Sequence, residues 1–436
     1  MLLSVVGILL SLAVIVILAL RGMGIMLIAP LAVVIVSVFS DMGVLDTLMG
    51  PYMKGFVNYA SKFYFVFLFA SVFGKYMDDS GAAKSVAAGI LKIIGHNKPL
   101  YVLLAIAFIT LTLTLGGVSL FVVIFAVMPI ARPLFKEMNI PWHMFIAAFI
   151  FGIGSISMTM MPGSPSILNI MPMKYLGTTA TAAPLLGLIA AALITLWNVA
   201  YMKYALEKCN ARGEGYESNE IAATVATAAA EATATRVLPG VFTSLIPPIV
   251  LIAALNVFKV DIVWALIIGC LVAAVIFWQY VANPMATWNA GASNTAIPVI
   301  NTCADVGYGM TVAASSGFKV ITDFLMSIPG HPTISLSVAT FLMTAITGSA
   351  SGGMAIVLET LVGKYAAMGL NPEMLHRIVA ISAGTFDAMP HNGVIITSLA
   401  VAGLTHKQAY KHVWWGHCVG TFFVMVAVVF VGVVLY

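Results

Sequence analysis

Met161-Pro162-Gly163-Ser164-Pro165-Ser166 interrupts an apolar run in the first half of the chain, and Met389-Pro390-His391-Asn392-Gly393 interrupts another in the second half. Proline cannot donate the backbone bond that a helix interior needs, and glycine does little to hold the helical conformation, so each stretch breaks a helix. The surroundings of the two breaks match. Upstream of the first lie Gly95-His96, Gly116-Gly117 and Pro141; upstream of the second, in the same order, lie Gly330-His331, Gly352-Gly353 and Pro372. Matched Gly and Pro interruptions in two halves of an apolar chain point to the binding site of a secondary transporter.

Composition places the chain in a bilayer. Of its 436 residues 61% are hydrophobic and 8% charged, with a mean hydropathy of +1.06. A soluble globule does not reach that profile and a polytopic membrane protein requires it. A net charge of +4 would suggest a nucleic-acid partner in a soluble protein, but here Lys and Arg sit in loops, where they set orientation. No nucleic-acid role is read from them. Residues 2–20 read as a first span rather than a signal peptide, because the run is long and lacks both a basic start and a small-residue cleavage site. Cys209, Cys270, Cys303 and Cys418 are scattered without paired spacing, so no disulfide framework, metal or cofactor is expected.

A span takes about 20 apolar residues, and a shorter run bounded by Gly or Pro reads as a re-entrant arm. The fold class expected is an all-α polytopic membrane protein of two inverted repeats, each of five crossings with one helical hairpin and one broken helix. The first repeat takes 1–205, with its hairpin at 100–131 and its broken helix at 142–176. A solvated linker follows at 206–238. The second repeat takes 239–436, with its hairpin at 333–370 and its broken helix at 373–403. Uninterrupted spans are expected at 2–20, 24–40, 60–77, 183–204, 239–257, 262–282 and 412–435, with a more polar one at 289–304. Ser80 to Ile94 and Val306 to Ile328 read as amphipathic connectors, Lys319 and Asp323 sharing the polar side of the second. On this topology 13 of the 20 Lys and Arg fall on the linker side, which the positive-inside rule makes cytoplasmic, leaving both termini outside.

An interruption within the membrane leaves N–H groups open at the start of the second half-helix and carbonyls at the end of the first. Those groups are costly unless something binds them. Helix N-termini suit a carboxylate and carbonyl ends suit a cation, so no Lys or Arg is needed at the tips. The four interruptions are expected to form one polar chamber from Gly116, Gly117, Ser119, Gly163, Ser164, Ser166, Gly348, Ser349, Ser351, Gly352, His391, Asn392 and Gly393. Its hydroxyl and amide groups suit a small hydroxylated acid. Asp387 and His391 flank Pro390 and are candidates for proton coupling; Glu359 is a third, unless it faces water or pairs with Lys364. A Gly pair also serves helix packing alone, and Ser155, Ser157 and Thr159 can bond back to their own helix. The register of two tips with two breaks favours a site. His143, His376 and Arg377 read as structural, and His412 and His417, beside Trp414 and Trp415, as an interfacial belt.

Gly116-Gly117-Val118-Ser119-Leu120-Phe121-Val122-Val123, Met161-Pro162-Gly163-Ser164-Pro165, Gly291-Ala292-Ser293-Asn294-Thr295, Asn301-Thr302-Cys303-Ala304-Asp305-Val306-Gly307-Tyr308-Gly309 and Gly348 to Gly353 resemble, in order over nearly the whole chain, the gluconate permease (GntP) family. The resemblance implies a carrier of small organic acids such as gluconate or 3-hydroxybutyrate, coupled to protons and placed in the cell (inner) membrane. It also implies a scaffold domain, a transport domain moving as an elevator, and a homodimer. Sodium-coupled relatives carry Ser-Asn-Thr at the hairpin tips. This chain departs from that signature with Thr347-Gly348-Ser349-Ala350-Ser351 and Thr114-Leu115-Gly116-Gly117-Val118-Ser119. The alternative is a sodium-coupled carrier of di- or tricarboxylates such as citrate. An intramembrane enzyme would need a metal motif H-E-x-x-H or a nucleophile elbow G-x-S-x-G, and the spans hold neither. A channel would need rings of charge or carbonyls around a pore, which inverted, interrupted halves fit less well.

Overall fold

The computed structural model describes residues 2–21, 23–86, 89, 98–118, 120–216, 238–390 and 392–436. Ser119 and His391, both expected at the site, lie outside the described residues, as do 217–237 of the linker. Every regular element among the described residues is helical. In the first half these are α1 (Leu2–Leu20), α2 (Ile25–Phe39), α3 (Val44–Asp79), α4 (Pro99–Leu115), α5 (Leu120–Glu137), α6 (Met144–Met160), α7 (Ile167–Leu176) and α8 (Pro184–Ala211). In the second half they are α9 (Val241–Asn256), α10 (Ile262–Ile276), α11 (Pro284–Ser293), α12 (Ala296–Ala314), α13 (Ser316–Met326), α14 (Pro332–Thr347), α15 (Ala350–Thr360), α16 (Val362–Ala367), α17 (Pro372–Ala383), α18 (Gly393–Ala402) and α19 (His406–Leu435).

Three of these helices, α3, α8 and α19, have 36, 28 and 30 residues and are apolar enough to cross a membrane; other apolar helices among the described residues are shorter. The molecule is a helical membrane protein. α3 begins well before the expected span at 60–77. Lys54, Asn58, Ser61 and Lys62 interrupt its hydropathy without interrupting its helix, and a wide π turn at Leu48–Tyr52 accommodates Pro51. α12 likewise outruns the span at 289–304 and takes Val306 to Ala314 from the expected connector. Its glycines explain why: Gly307 admits Tyr52 and Gly309 admits Ile356 at distances that leave no room for a Cβ, so this helix is packed against protein rather than lipid. Only α13 remains as the connector, and there Lys319 and Asp323 lie 3.6 Å apart on the exposed side.

Packing brings distant segments together in pairs. α1 lies along α2 and α9 along α10; α12 packs on α2 and α10 on α3; α4 packs on α6 and α14 on α17; α8 packs on α19. The arms of the hairpins cross over to the opposite half, α15 onto α7 and α5 onto α18. Both tips turn on a glycine in the left-handed region, Gly117 at φ +83° and Gly348 at φ +60°, where other residues are strained. A side chain at Gly353 would run into the backbone of Thr344, which is why the two arms of the second hairpin can touch along their length.

Candidate functional site

α6 finishes in π-helical turns, Gly152–Met160, before the first break. Ser155 and Thr159 bond back to the carbonyls of Phe151 (3.2 Å) and Ser155 (3.0 Å), and Ser157 to that of Gly152 (3.4 Å), the structural alternative for all three. Thr114, at the first hairpin tip, donates to Ser157 Oγ at 2.7 Å, which joins tip and break. Within the break the Ser164 hydroxyl donates to the Ser157 carbonyl, and Ser166 caps α7 by accepting from the Leu168 N–H at 3.3 Å.

The second break opens earlier than its Met-Pro pair, because α17 ends at Ala383. Asn392 then caps α18, accepting from the N–H groups of Val394 (2.7 Å) and Ile395 (3.0 Å), while its amide donates to the Asp387 carbonyl at 3.0 Å. At the second hairpin tip Ser349 accepts from the Gly352 N–H at 3.1 Å and stands 3.4 Å from Ser351. Side chains expected to meet a ligand are therefore engaged as helix caps. Short Ser and Asn side chains satisfy half-helix N–H groups locally, so the half-helix ends need not stand open.

The two breaks meet each other. A Cβ on Gly384, the first residue past α17, would stand 2.9 Å from the Thr159 methyl at the end of α6. Arg377, fully buried, fastens the meeting point with all five of its donors. Nε and Nη2 reach the Ala182 carbonyl (3.1 and 2.8 Å), Nη2 also that of Ala180 (3.5 Å), and Nη1 reaches the Thr159 carbonyl (3.2 Å) and Asn169 Oδ1 (3.0 Å). The Asn169 amide donates onward to the carbonyls of Ser164 (2.9 Å) and Ala180 (2.8 Å). Carbonyls that the broken helix leaves open are thus met by a guanidinium, in keeping with a structural role for Arg377.

Three acids sit within this part of the molecule. Asp387 lies 3.2 Å from Nε2 of His417, a ring only 3% exposed. His417 and His412 are both buried, so for these two rings the expected interfacial belt is corrected; Trp415 beside them is exposed. Glu359 does not pair with Lys364; its partner is Lys62 of α3 at 2.9 Å, with Asn58 Nδ2 at 3.1 Å and the Tyr175 hydroxyl also donating to it. The third acid, Asp305 on α12, lies in the Asn301–Gly309 motif. It is 4% exposed and faces Gly352 at the second tip, where a Cβ would stand 2.6 Å from its Oδ2. The signal that could have found it is an acid inside a run of small and apolar residues, hidden by ending the span at Ala304.

On the linker side, His143 Nδ1 lies 2.7 Å from His412 Nε2, and His143 Nε2 lies 3.2 Å from Glu214. Donor atoms of His143, Cys209 and Glu214 fall within 4.8 Å of one another. Hydrogen bonds from the Cys209 thiol and from His143 hold the Glu214 carboxyl below its ordinary range. Two cavities, of about 240 and 440 Å³, lie away from the tips: one beside Lys174, Lys259 and Asp261, the other beside Gly50, Lys54 and Met310.

No known family profile matches the chain. The uncharacterized transporter YxjC of Bacillus subtilis (strain 168) is 31% identical over 447 residues, an alignment covering 93% of this chain and 94% of that protein. An uncharacterized transporter of Haemophilus influenzae is 24% identical over 372 residues, 84% of each. Identity at that level along almost the full length of both proteins means that this chain belongs to the transporter family of YxjC.

Proposed function

We propose that this protein is a secondary active transporter importing a small organic anion, gluconate or a hydroxy-monocarboxylate such as 3-hydroxybutyrate, by proton symport. The observation that carries the reading is the meeting of Thr159 with Gly384, which puts the interruptions of both halves at one place. The half-helices α7 and α18 that follow the two breaks begin with hydroxyl and amide caps, Ser166 and Asn392, and Ser349 caps the start of α15. A substrate carboxylate replaces such a cap without new charge on the protein, and substrate hydroxyls take up the freed Ser and Asn groups.

The recurring packing pairs support two inverted repeats: α1 on α2 with α9 on α10, α12 on α2 with α10 on α3, α4 on α6 with α14 on α17, and the crossed arms. In this reading α1–α3 and α9–α13 form a scaffold, the hairpins and broken helices form the moving domain, and the protein works as a homodimer in the inner membrane. The resemblance to gluconate permeases supplies the substrate class.

Uptake of labelled monocarboxylates and dicarboxylates into proteoliposomes, with proton and sodium gradients imposed separately, tests it. Accumulation of a hydroxy-monocarboxylate under an inward proton gradient is the expected result. Accumulation of di- or tricarboxylates under a sodium gradient would replace this reading with the sodium-coupled one, and no uptake of any acid would remove both.

A further inference from the structure

Among the described residues Asp305 makes no hydrogen bond and no ion pair, although it is 4% exposed and lies inside an apolar helix pack. The groups around it offer no counter-charge. Tyr52 and Tyr59 of α3 and Cys303 of its own helix are the titratable neighbours, and none of them is a cation. α2 carries no ionisable residue, Lys319 and Asp323 of α13 pair with each other, and Glu359 of α15 is held by Lys62. The first turn of α15 lies against Asp305, yet the N–H of Gly352, the residue that meets it, is taken by Ser349. A carboxylate that has neither donor nor cation is not tolerated at membrane depth, and the field of one capped helix end is the smaller effect. The neutral acid fits the site as built.

We propose, resting on the transport reading above, that Asp305 is the residue that binds the coupling proton. The proton adds to a carboxylate oxygen. The resulting neutral acid lets the second hairpin tip seat at Gly352, and loss of the proton leaves an anion that needs water and lifts the tip. Gly352 is then glycine because the tip must close onto Asp305 with nothing between them. Proton binding and tip closure become one event, as symport requires.

Infrared spectroscopy of the purified protein in nanodiscs without substrate tests the assignment. A carbonyl stretching band of a protonated carboxylic acid should be present at neutral pH and fade at alkaline pH. It should vanish in Asp305→Asn and in Asp305→Ser, either of which suffices if the other fails to fold, and persist in Asp387→Asn. A band untouched by both Asp305 variants, or no such band in the parent, overturns the proposal. In proteoliposomes supplied with the acid found by the uptake panel, Asp305→Asn should bring the accumulation ratio under a pH gradient down to about 1 and make counterflow indifferent to pH. Undiminished proton-driven accumulation in that variant also overturns it. Failure of the panel to find any substrate would remove the transport reading while leaving the infrared result standing.

Discussion

His417 Nε2 lies 3.2 Å from a carboxylate oxygen of Asp387, and the same ring closes over Gly154, where a Cβ would stand 3.0 Å from its Cε1. One imidazole thereby touches the second break and the π-helical end of α6 while itself riding on a π turn of α19. Such wide turns leave backbone groups poorly paired, and a buried side chain that locks their register offsets that weakness. Asp387→Ala and His417→Ala should each destabilise the protein by roughly 1–3 kcal/mol, because each leaves a buried polar partner short. The double variant should cost less than the two single losses together. Chemical denaturation in detergent measures all three, and strict additivity would mean that the two side chains do not depend on one another.

Arg377 satisfies every donor it has on carbonyls and one amide oxygen, with no acid in the set. Lysine keeps the charge but offers three donors from a single point, so it cannot span Ala182, Ala180, Thr159 and Asn169 at once. Arg377→Lys should therefore lose roughly 3 kcal/mol or more, close to the loss in Arg377→Met, since in both the loop and break carbonyls are left unmet. Thermal melting of the purified variants checks this. A lysine variant as stable as the parent would show that charge alone is what the site needs.

The hairpin turns and breaks were legible because glycine, proline and capping residues carry their backbone preferences with them. Gly117 and Gly348 do turn the tips with positive φ, and Ser166 and Asn392 do start α7 and α18. What could not be read is what meets what. Glu359 finds Lys62 almost 300 positions away, and no local pattern announces that pair. His412 and His417 would lie about 140° apart on a regular helix, so an α periodicity cannot bury both; the π turn between them changes the register. Asp305 escaped because a hydropathy window treats acid and glycine as the end of a span, whereas α12 is buried in protein and continues through them. Nor does the pattern announce the local bonds of the hydroxyls: Ser166 accepts from the Leu168 N–H and Ser349 from the Gly352 N–H within their own segments.

Glu214 gives the linker side a dependence on pH. Its carboxyl is held below the ordinary range by the Cys209 thiol and His143, so its bonds stabilise the fold above the unfolded value and are lost as pH falls through the folded one. The neighbouring Tyr216 N–H, bonded to Asn139 Oδ1 at 2.9 Å, reports on this corner. Its protection from hydrogen exchange, corrected for the intrinsic pH effect, should hold at neutral pH and drop between about pH 5 and pH 3. In Glu214→Gln the protection should be weaker throughout and flat with pH. A parent profile as flat as that of the variant would separate Tyr216 from Glu214.

The orientation in the membrane can be tested at the same corner, though not with the native thiols. All four cysteines are buried, Cys209 included at 4% exposure, so a reagent would miss them from either side. Arg212, with 57% of its side chain exposed, is the better reporter. A membrane-impermeant maleimide should leave Arg212→Cys unlabelled in intact cells and label it in inverted vesicles. Labelling in intact cells would turn the topology over and place both termini in the cytoplasm.

Lys62 and Glu359, 2.9 Å apart, tie α3 to α15, with Asn58 of α3 and Tyr175 of α7 sharing the carboxylate. In the proposed architecture α3 belongs to the scaffold and both α15 and α7 to the moving domain, so this cluster lies on the sliding surface. Lys62 is one-third exposed, and a pair so placed contributes little to stability, about 1 kcal/mol at most. It is therefore cheap to break and re-form, as a sliding contact must be. Lys62→Cys combined with Glu359→Cys, bridged by a short bis-maleimide, should stop uptake of the acid identified by the uptake panel in proportion to the fraction bridged, while each single cysteine treated alike transports at its own unbridged rate. A cleavable bridge should restore uptake when it is cut. Full-rate uptake from completely bridged protein would mean that α3 and α15 stay together through the cycle, and the moving part would have to be sought elsewhere.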